Sequence, residues 1–131
     1  MAESKHLSQP IARPAAVVYE YASDPANLPE WASGLGNSVE HVDGRWFVDS
    51  PDGRLTIAFA EQNDYGILDH DVTLLSGETV YNPMRVIADG DGCEVVFTLR
   101  RQPGMTDAEF SRDANLVLAD LRALKQLLER T

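Results

Sequence analysis

Towards the end of this chain Phe110, Ala114, Val117, Leu118, Leu121, Leu124 and Leu128 recur at three- and four-residue steps, the mark of a helix with one apolar stripe. Thr106-Asp-Ala-Glu109 stands just ahead of them as a capping box, in which Thr106 and Glu109 each satisfy a backbone donor, so the helix opens there and runs to about Arg130. A helix of this length must lay its stripe on a broad apolar surface. From Asn37 to Arg101 the apolar period is two, with turn signals at Asp43-Gly44, Pro51-Asp-Gly53, Asn63-Asp-Tyr-Gly66, Ser76-Gly77 and Asp89-Gly-Asp-Gly92. Six consecutive strands in an antiparallel meander are expected, and their sheet is the only surface large enough to receive the helix.

The front of the chain supplies the remaining elements. Glu3 to Ala12 reads as a strand and Pro14 as the first residue of a helix over Ala15–Ala22. Asp24-Pro25 ends that helix and caps a shorter one, Ala26–Ala32, which carries Trp31 and stops at Gly34. The 131 residues are 44% hydrophobic and 24% charged and hold no repeat, low-complexity tract or linker, so one folded domain over residues 1–131 is expected. Cys93 is the single cysteine, which excludes an internal disulfide and fits a reducing compartment. Eleven Lys and Arg against 21 Asp and Glu leave a charge of -10, which repels polyanions. Nucleic acid and anionic membranes are therefore not expected as partners. Met1-Ala-Glu-Ser-Lys-His-Leu7 has no apolar signal core, and no stretch approaches the ~20 apolar residues of a membrane span, so a cytoplasmic location is expected.

Hairpin register decides which residues share the face under the helix, because strand partners lying opposite one another share a face. A loop over Asp89–Gly92 sets Val86 across from Val95, Met84 from Phe97 and Asn82 from Leu99. A loop over Ser76–Glu78 sets Asp69 across from Arg85 and His70 from Met84. A loop over Asn63–Gly66 pairs Phe59 with His70, Ile57 with Val72 and Leu55 with Leu74. Asp-Gly turns then add Trp46 with Phe59, Val39 with Val48 and His41 with Trp46, although a one-residue slip in either hairpin would turn these outward. The inner face so built is apolar apart from His70 and Asn82, and whether His41 joins it stays open.

The order strand, two short helices, antiparallel strands and long C-terminal helix resembles the SRPBCC superfamily, also called START-like or birch-pollen-allergen-like, over the whole chain. The local marks are Ile11-Ala-Arg-Pro-Ala-Ala-Val-Val-Tyr-Glu-Tyr21, then Asp24-Pro-Ala-Asn-Leu-Pro-Glu-Trp31. Leu68-Asp-His-Asp-Val72, Asn82-Pro-Met-Arg85 and Val96-Phe-Thr-Leu99 resemble a bacterial subgroup related to polyketide cyclase/dehydrase and lipid-transport proteins. The resemblance implies an α+β helix-grip fold: a curved antiparallel sheet of about seven strands wrapped around a long C-terminal helix, with two short helices after the first strand. It also implies an elongated cavity for an apolar ligand between sheet and helix. Members of the superfamily range from carriers to enzymes, so fold does not settle function.

Within that cavity His70 is the leading candidate for chemistry. A ring among apolar residues favours its neutral state and is able to act as a general base or orient a ligand carbonyl; the alternative is a structural histidine satisfied by a neighbour. Asn82, facing inward from the next strand, both donates and accepts, unless it serves only to bond its own backbone beside Pro83. Trp31, Trp46, Phe59, Met84, Phe97 and Phe110 are candidate wall residues, with plain core packing as the other reading of each. Asp69 and Asp71 flank His70 but alternate to the opposite face. Asp113, one turn after Phe110, is a better placed carboxylate, or else part of a solvated helix flank.

Other motifs fail. Gly34-Leu-Gly36 lacks a third glycine and precedes a strand, so it is no dinucleotide loop. Asp89-Gly-Asp-Gly92 has too few ligands for calcium, with Arg100 where the last acid should stand. The three histidines, His6, His41 and His70, make no recognisable metal set, and no nucleophile elbow or zinc spacing occurs. No cofactor or metal is expected, and Cys93 reads as a small hydrophobe.

Three functions remain, in this order. The first is a binding module that encloses one small apolar or amphipathic molecule, with His70 and Asn82 fixing its polar end. The second is a cyclase or dehydratase in which His70 moves a proton. The third is an interaction module, with a second copy or another partner meeting the acidic face or Leu116 and Leu127, and a homodimer is one form of it.

Overall fold

The chain's architecture comes from a computed structural model that describes residues 1–51 and 53–130. Asp52 of the expected Asp52-Gly53 turn, and Thr131, lie outside them. Strand β1 (Ser4–Ile11) leads into α1 (Ala15–Ala22), a single 3-10 turn (Pro25–Asn27) and the short α2 (Leu28–Trp31). Seven strands follow: β2 (Ser38–Val42), β3 (Arg45–Ser50), β4 (Gly53–Phe59), β5 (His70–Thr73), β6 (Thr79–Asn82), β7 (Met84–Asp89) and β8 (Gly92–Arg100). The chain closes with α3 (Asp107–Glu129).

Local chemistry accounts for these boundaries. Asp24 accepts the N–H of Ala26 and so caps the turn that Pro25 begins. Asp43 and Gly44 both have positive φ, 51° and 77°, the backbone that a two-residue Asp-Gly hairpin needs. At α3 both halves of the capping box are present: the Thr106 hydroxyl accepts from Glu109 N–H, and the Glu109 carboxylate accepts from Thr106 N–H. Thr106→Ala is expected to cost about 1 kcal/mol, measured by equilibrium denaturation. A change under about 0.3 kcal/mol would show that the cap holds nothing the rest of the fold does not hold already.

The strands form two antiparallel sheets, one ordered β1-β8-β7 and the other β2-β3-β4-β5-β6. Eight strands stand where about seven were expected, and Pro83 is the cause. A proline has no N–H to continue a ladder, so the long strand read from Thr79 to Asp89 breaks there. Asn82 pairs with His70 in one sheet, and Met84 pairs with Phe97 in the other. The expected partnership of Asn82 with Leu99 is thereby replaced. The two sheets stay joined where Leu68 N–H reaches Met84 C=O and Val86 N–H reaches Gly66 C=O. Gly66 has φ 72°, and a Cβ there would lie 2.3 Å from the Val86 carbonyl oxygen, so only glycine permits this seam.

Helix α3 packs on β1 and β8 and touches α2, while α1 rests on β7 and β8. Leu121 and Leu124 are sealed at 1% and 0% exposure, within a core that also holds Val18, Trp31, Val48, Ile57 and Val95. Against the strands β4 to β6 the helix stands away. A cleft opens there.

Candidate ligand-binding cleft

The cleft holds about 540 Å³ and opens to solvent. This lies within the ordinary range of small-molecule sites, ~300–1,000 Å³. Its sheet wall is Leu55, Ile57, Phe59, His70, Val72, Val80, Asn82, Phe97 and Leu99; its helix wall is Asp113, Leu116, Val117, Asp120 and Leu121. Leu28, Trp31, Gly34 and Leu35 close one side.

His70 reaches this wall by the pairing of β5 between β4 and β6, opposite Phe59 on one side and Asn82 on the other. It is 8% exposed, the one buried polar or charged residue among those described. The rings of Phe59 and Phe97 lie 5.0 and 5.8 Å from its own, both tilted. Its Nδ1 is 3.0 Å from the Leu68 carbonyl oxygen, an atom that only accepts, so Nδ1 carries the proton. Burial holds the ring below the ordinary imidazole value, against smaller opposing effects from that carbonyl and from Asp69 and Asp71. A neutral ring with Nδ1–H engaged presents Nε2 as a bare lone pair on the cleft side.

The neighbouring acids behave as alternation implies. Asp69 turns away from the ring, and its carboxylate accepts Met84 N–H at 2.9 Å and Tyr81 O–H at 2.7 Å. Ile67, not Asp69, lies across from Arg85. Asp71 is exposed. Asp113 does line the cleft, half-buried, and burial raises its carboxyl.

Asp120 is the functional group that sequence reasoning missed. It lines the cleft seven residues after Asp113, and its Oδ1 accepts Gly34 N–H at 3.2 Å. Burial pushes its pKa up to about 6, with only that hydrogen bond opposing the shift. A Cβ on Gly34 would sit 3.0 Å from Oδ2, so glycine leaves the second oxygen uncovered. The signal was present in spacing: Phe110, Asp113, Val117, Asp120 and Leu124 follow steps of three, four, three and four along the apolar stripe.

Of the expected wall residues, Trp31, Phe59, His70, Asn82 and Phe97 line the cleft. Three do not. Met84, 1% exposed, is core, because β7 lies under α1. Phe110 packs with Leu99 and Ala114 at the far end of the helix, with the Lys5 ammonium 4.7 Å over its ring. Trp46 pairs with Ile57 rather than Phe59, since Ser50 pairs with Gly53, and it stacks on His41 with ring centres 4.4 Å apart. His41 is exposed and lines no part of the cleft. Cys93 is buried, and burial pushes its thiol up, away from reactivity.

The sequence profile of the family described as polyketide cyclase/dehydrase and lipid transport matches residues 4–129. The chain belongs to this family. It shares the helix-grip fold of the SRPBCC superfamily with solved structures of low sequence identity. An uncharacterised protein from Bacillus thuringiensis aligns at 15% identity over 95% of this chain and 98% of its own, with a TM-score of 0.76. Ara h 8.0201 aligns at 13% over the full length of both chains with a TM-score of 0.74. The Zhui aromatase/cyclase from Streptomyces sp. R1128 aligns at 16% over 99% of this chain and 95% of its own, with a TM-score of 0.72. No curated protein matches the sequence. At these identities the likeness shows the fold alone. Among the described residues no helix is long and apolar enough to cross a membrane, and no group of three or more His, Cys, Asp or Glu is placed to hold a metal.

Proposed function

We propose that this chain binds one small hydrophobic or amphipathic molecule in the cleft between the sheet and α3, its apolar body against Phe59, Phe97 and Val117 and its polar end at His70 and Asn82. The observation that carries this reading is the bare Nε2 of a buried, neutral His70 in a sheet wall that is apolar apart from it and Asn82. The family description joins cyclase/dehydrase with lipid transport, and both need an apolar molecule held by the protein.

The neutral fluorophore N-phenyl-1-naphthylamine tests it. Binding is expected to saturate at one probe per chain, because the cleft has room for one molecule of that size. His70→Ala is expected to weaken it about 5-fold, the worth of one net hydrogen bond of ~1 kcal/mol. Absence of saturable binding, or unchanged affinity when Val80→Trp fills the cleft, would overturn the reading.

A second reading is an enzyme of cyclase or dehydratase type. The observation in its favour is that a base, His70, and a carboxyl that titrates near neutrality, Asp120, line the same cleft. With a substrate in hand, an enzymatic His70 would lose turnover on change to alanine while binding is largely kept; a carrier would lose affinity alone.

A further inference from the structure

We propose that the cleft selects a cationic amphiphile, an apolar body ending in a protonated amine whose ammonium rests on Asp120, and rejects amphiphiles that end in a carboxylate. This rests on reading the cleft as a ligand site, and it adds a charge to the ligand's polar end, which then lies between Asp120 on the helix wall and His70 and Asn82 on the sheet wall.

The charged residues that line the cleft, Asp113 and Asp120, are both acidic, and no lysine or arginine is among the described residues that line it. Seven residues apart, they fall on one side of α3 about two turns, or ~10 Å, from each other. Asp113 has Arg112 nearby, whereas no cationic side chain offsets the burial of Asp120. Several cations of the chain are engaged elsewhere: Arg54 with Glu40, Arg101 with Glu3 and Asp107, Lys125 with Glu129. A carboxylate in an apolar wall is ordinarily paired. Asp120 has one backbone N–H for two oxygens, and Gly34 keeps the second oxygen open.

An independent observation marks this as a place where a ligand completes the hydrogen bonding. His70, 8% exposed, lines the same cleft on the opposite wall, and its Nε2 lone pair has no protein partner. The charged groups on the cleft and the open Nε2 of His70 are acceptors, and Asn82 is able to accept as well, so a ligand end that brings donors complements them. An ammonium brings three, together with the charge Asp120 lacks. A carboxylate brings none, and repels both acids.

Three molecules with one body separate the alternatives: 6-phenylhexylamine, 6-phenylhexan-1-ol and 6-phenylhexanoate, each displacing N-phenyl-1-naphthylamine at pH 7.5. The amine is expected to bind at least ten-fold more tightly than the alcohol, and the alcohol more tightly than the acid. Asp120→Asn keeps an oxygen for Gly34 N–H and is expected to bring the amine down to the level of the alcohol. Asp91→Asn, an equal change of net charge at an exposed turn, is expected to leave the ratio as it was. Equal or tighter binding of the acid overturns the inference, as does an equal loss in the Asp91 and Asp120 variants, which would assign the preference to the overall charge. If neither the probe nor the alcohol binds, it is the ligand-site reading itself that falls.

Discussion

Leu121→Ala is expected to lower the unfolding free energy by ~2–5 kcal/mol, the range for truncating a sealed leucine. Leu121 is 1% exposed and sits where α3, the core and the cleft wall meet. The three carbons lost there, Cγ and its two methyls, remove contacts that the neighbouring helix and strands are too rigid to restore. Leu124 is as deeply buried but does not line the cleft, so its alanine variant leaves a closed void and should fall at the upper end of the range. Leu121→Ala instead opens into existing space and should fall at the lower end. Urea denaturation of both variants measures this; a loss under about 0.5 kcal/mol for Leu121→Ala, an ordinary surface value, would mean that α3 does not grip the sheet as described.

Asp120→Asn is expected to stabilise the protein at pH 8 by about 1–2 kcal/mol. The folded pKa of about 6 lies above the usual 3.8, so the folded state holds a proton that the unfolded chain releases between these values. Stability linked to Asp120 is therefore fully present below pH ~4, declines as pH rises towards 6, and stays low above it. A shift of that size has a ceiling of about 3 kcal/mol, and solvent at the open cleft reduces it. Asparagine has no charge to bury, so the gain of the variant should be greatest above pH 6 and shrink as pH falls towards 4. His70 titrates in the opposite sense: with its folded pKa depressed, its stabilising contribution is present above the ordinary imidazole value and lost on acidification. That loss is common to both proteins and cancels in the difference. Unfolding curves at pH 8 and pH 4.5 would decide the matter, and a variant no more stable at pH 8 would show that Asp120 is not a buried carboxylate.

His70 was legible in the sequence for a reason that applies beyond it. Two of the inferred hairpins are off by two positions: His70 faces Asn82 rather than Met84, and Trp46 faces Ile57 rather than Phe59. Side chains alternate with period two, so an even slip leaves every residue on its face. What it changes is position along the strand, which sets Trp46 beside Ile57, while its pairing with His41 is the one expected. The break at Pro83 was less legible, because Asn82 and Met84 both continue the alternation and only the missing N–H at Pro83 tells them apart. Met84 and Phe110 carry the right residue type for a cavity wall, and nothing in strand or helix periodicity says that α1 covers the first and that the second lies beyond the end of the cleft. Asp120 was hidden by an assumption about carboxylates. On an amphipathic helix an acid is assigned to water unless its spacing is checked against the stripe, and here the spacing places it inside.

The pairing of β1 with β8 sets the order in which this molecule is able to form. Ser4 lies opposite Arg100 and Ile11 opposite Cys93, so β1 has no partner until some ninety residues more have followed it in synthesis. Helix α3 then packs on β1 as well as β8, which makes the placing of the cleft's helix wall depend on a contact of long sequence separation. Chain closure over such a distance is slow compared with local helix or hairpin formation. Until it happens, the apolar inner faces of the strands stand uncovered, and the nascent chain relies on its charge of -10 to keep copies apart.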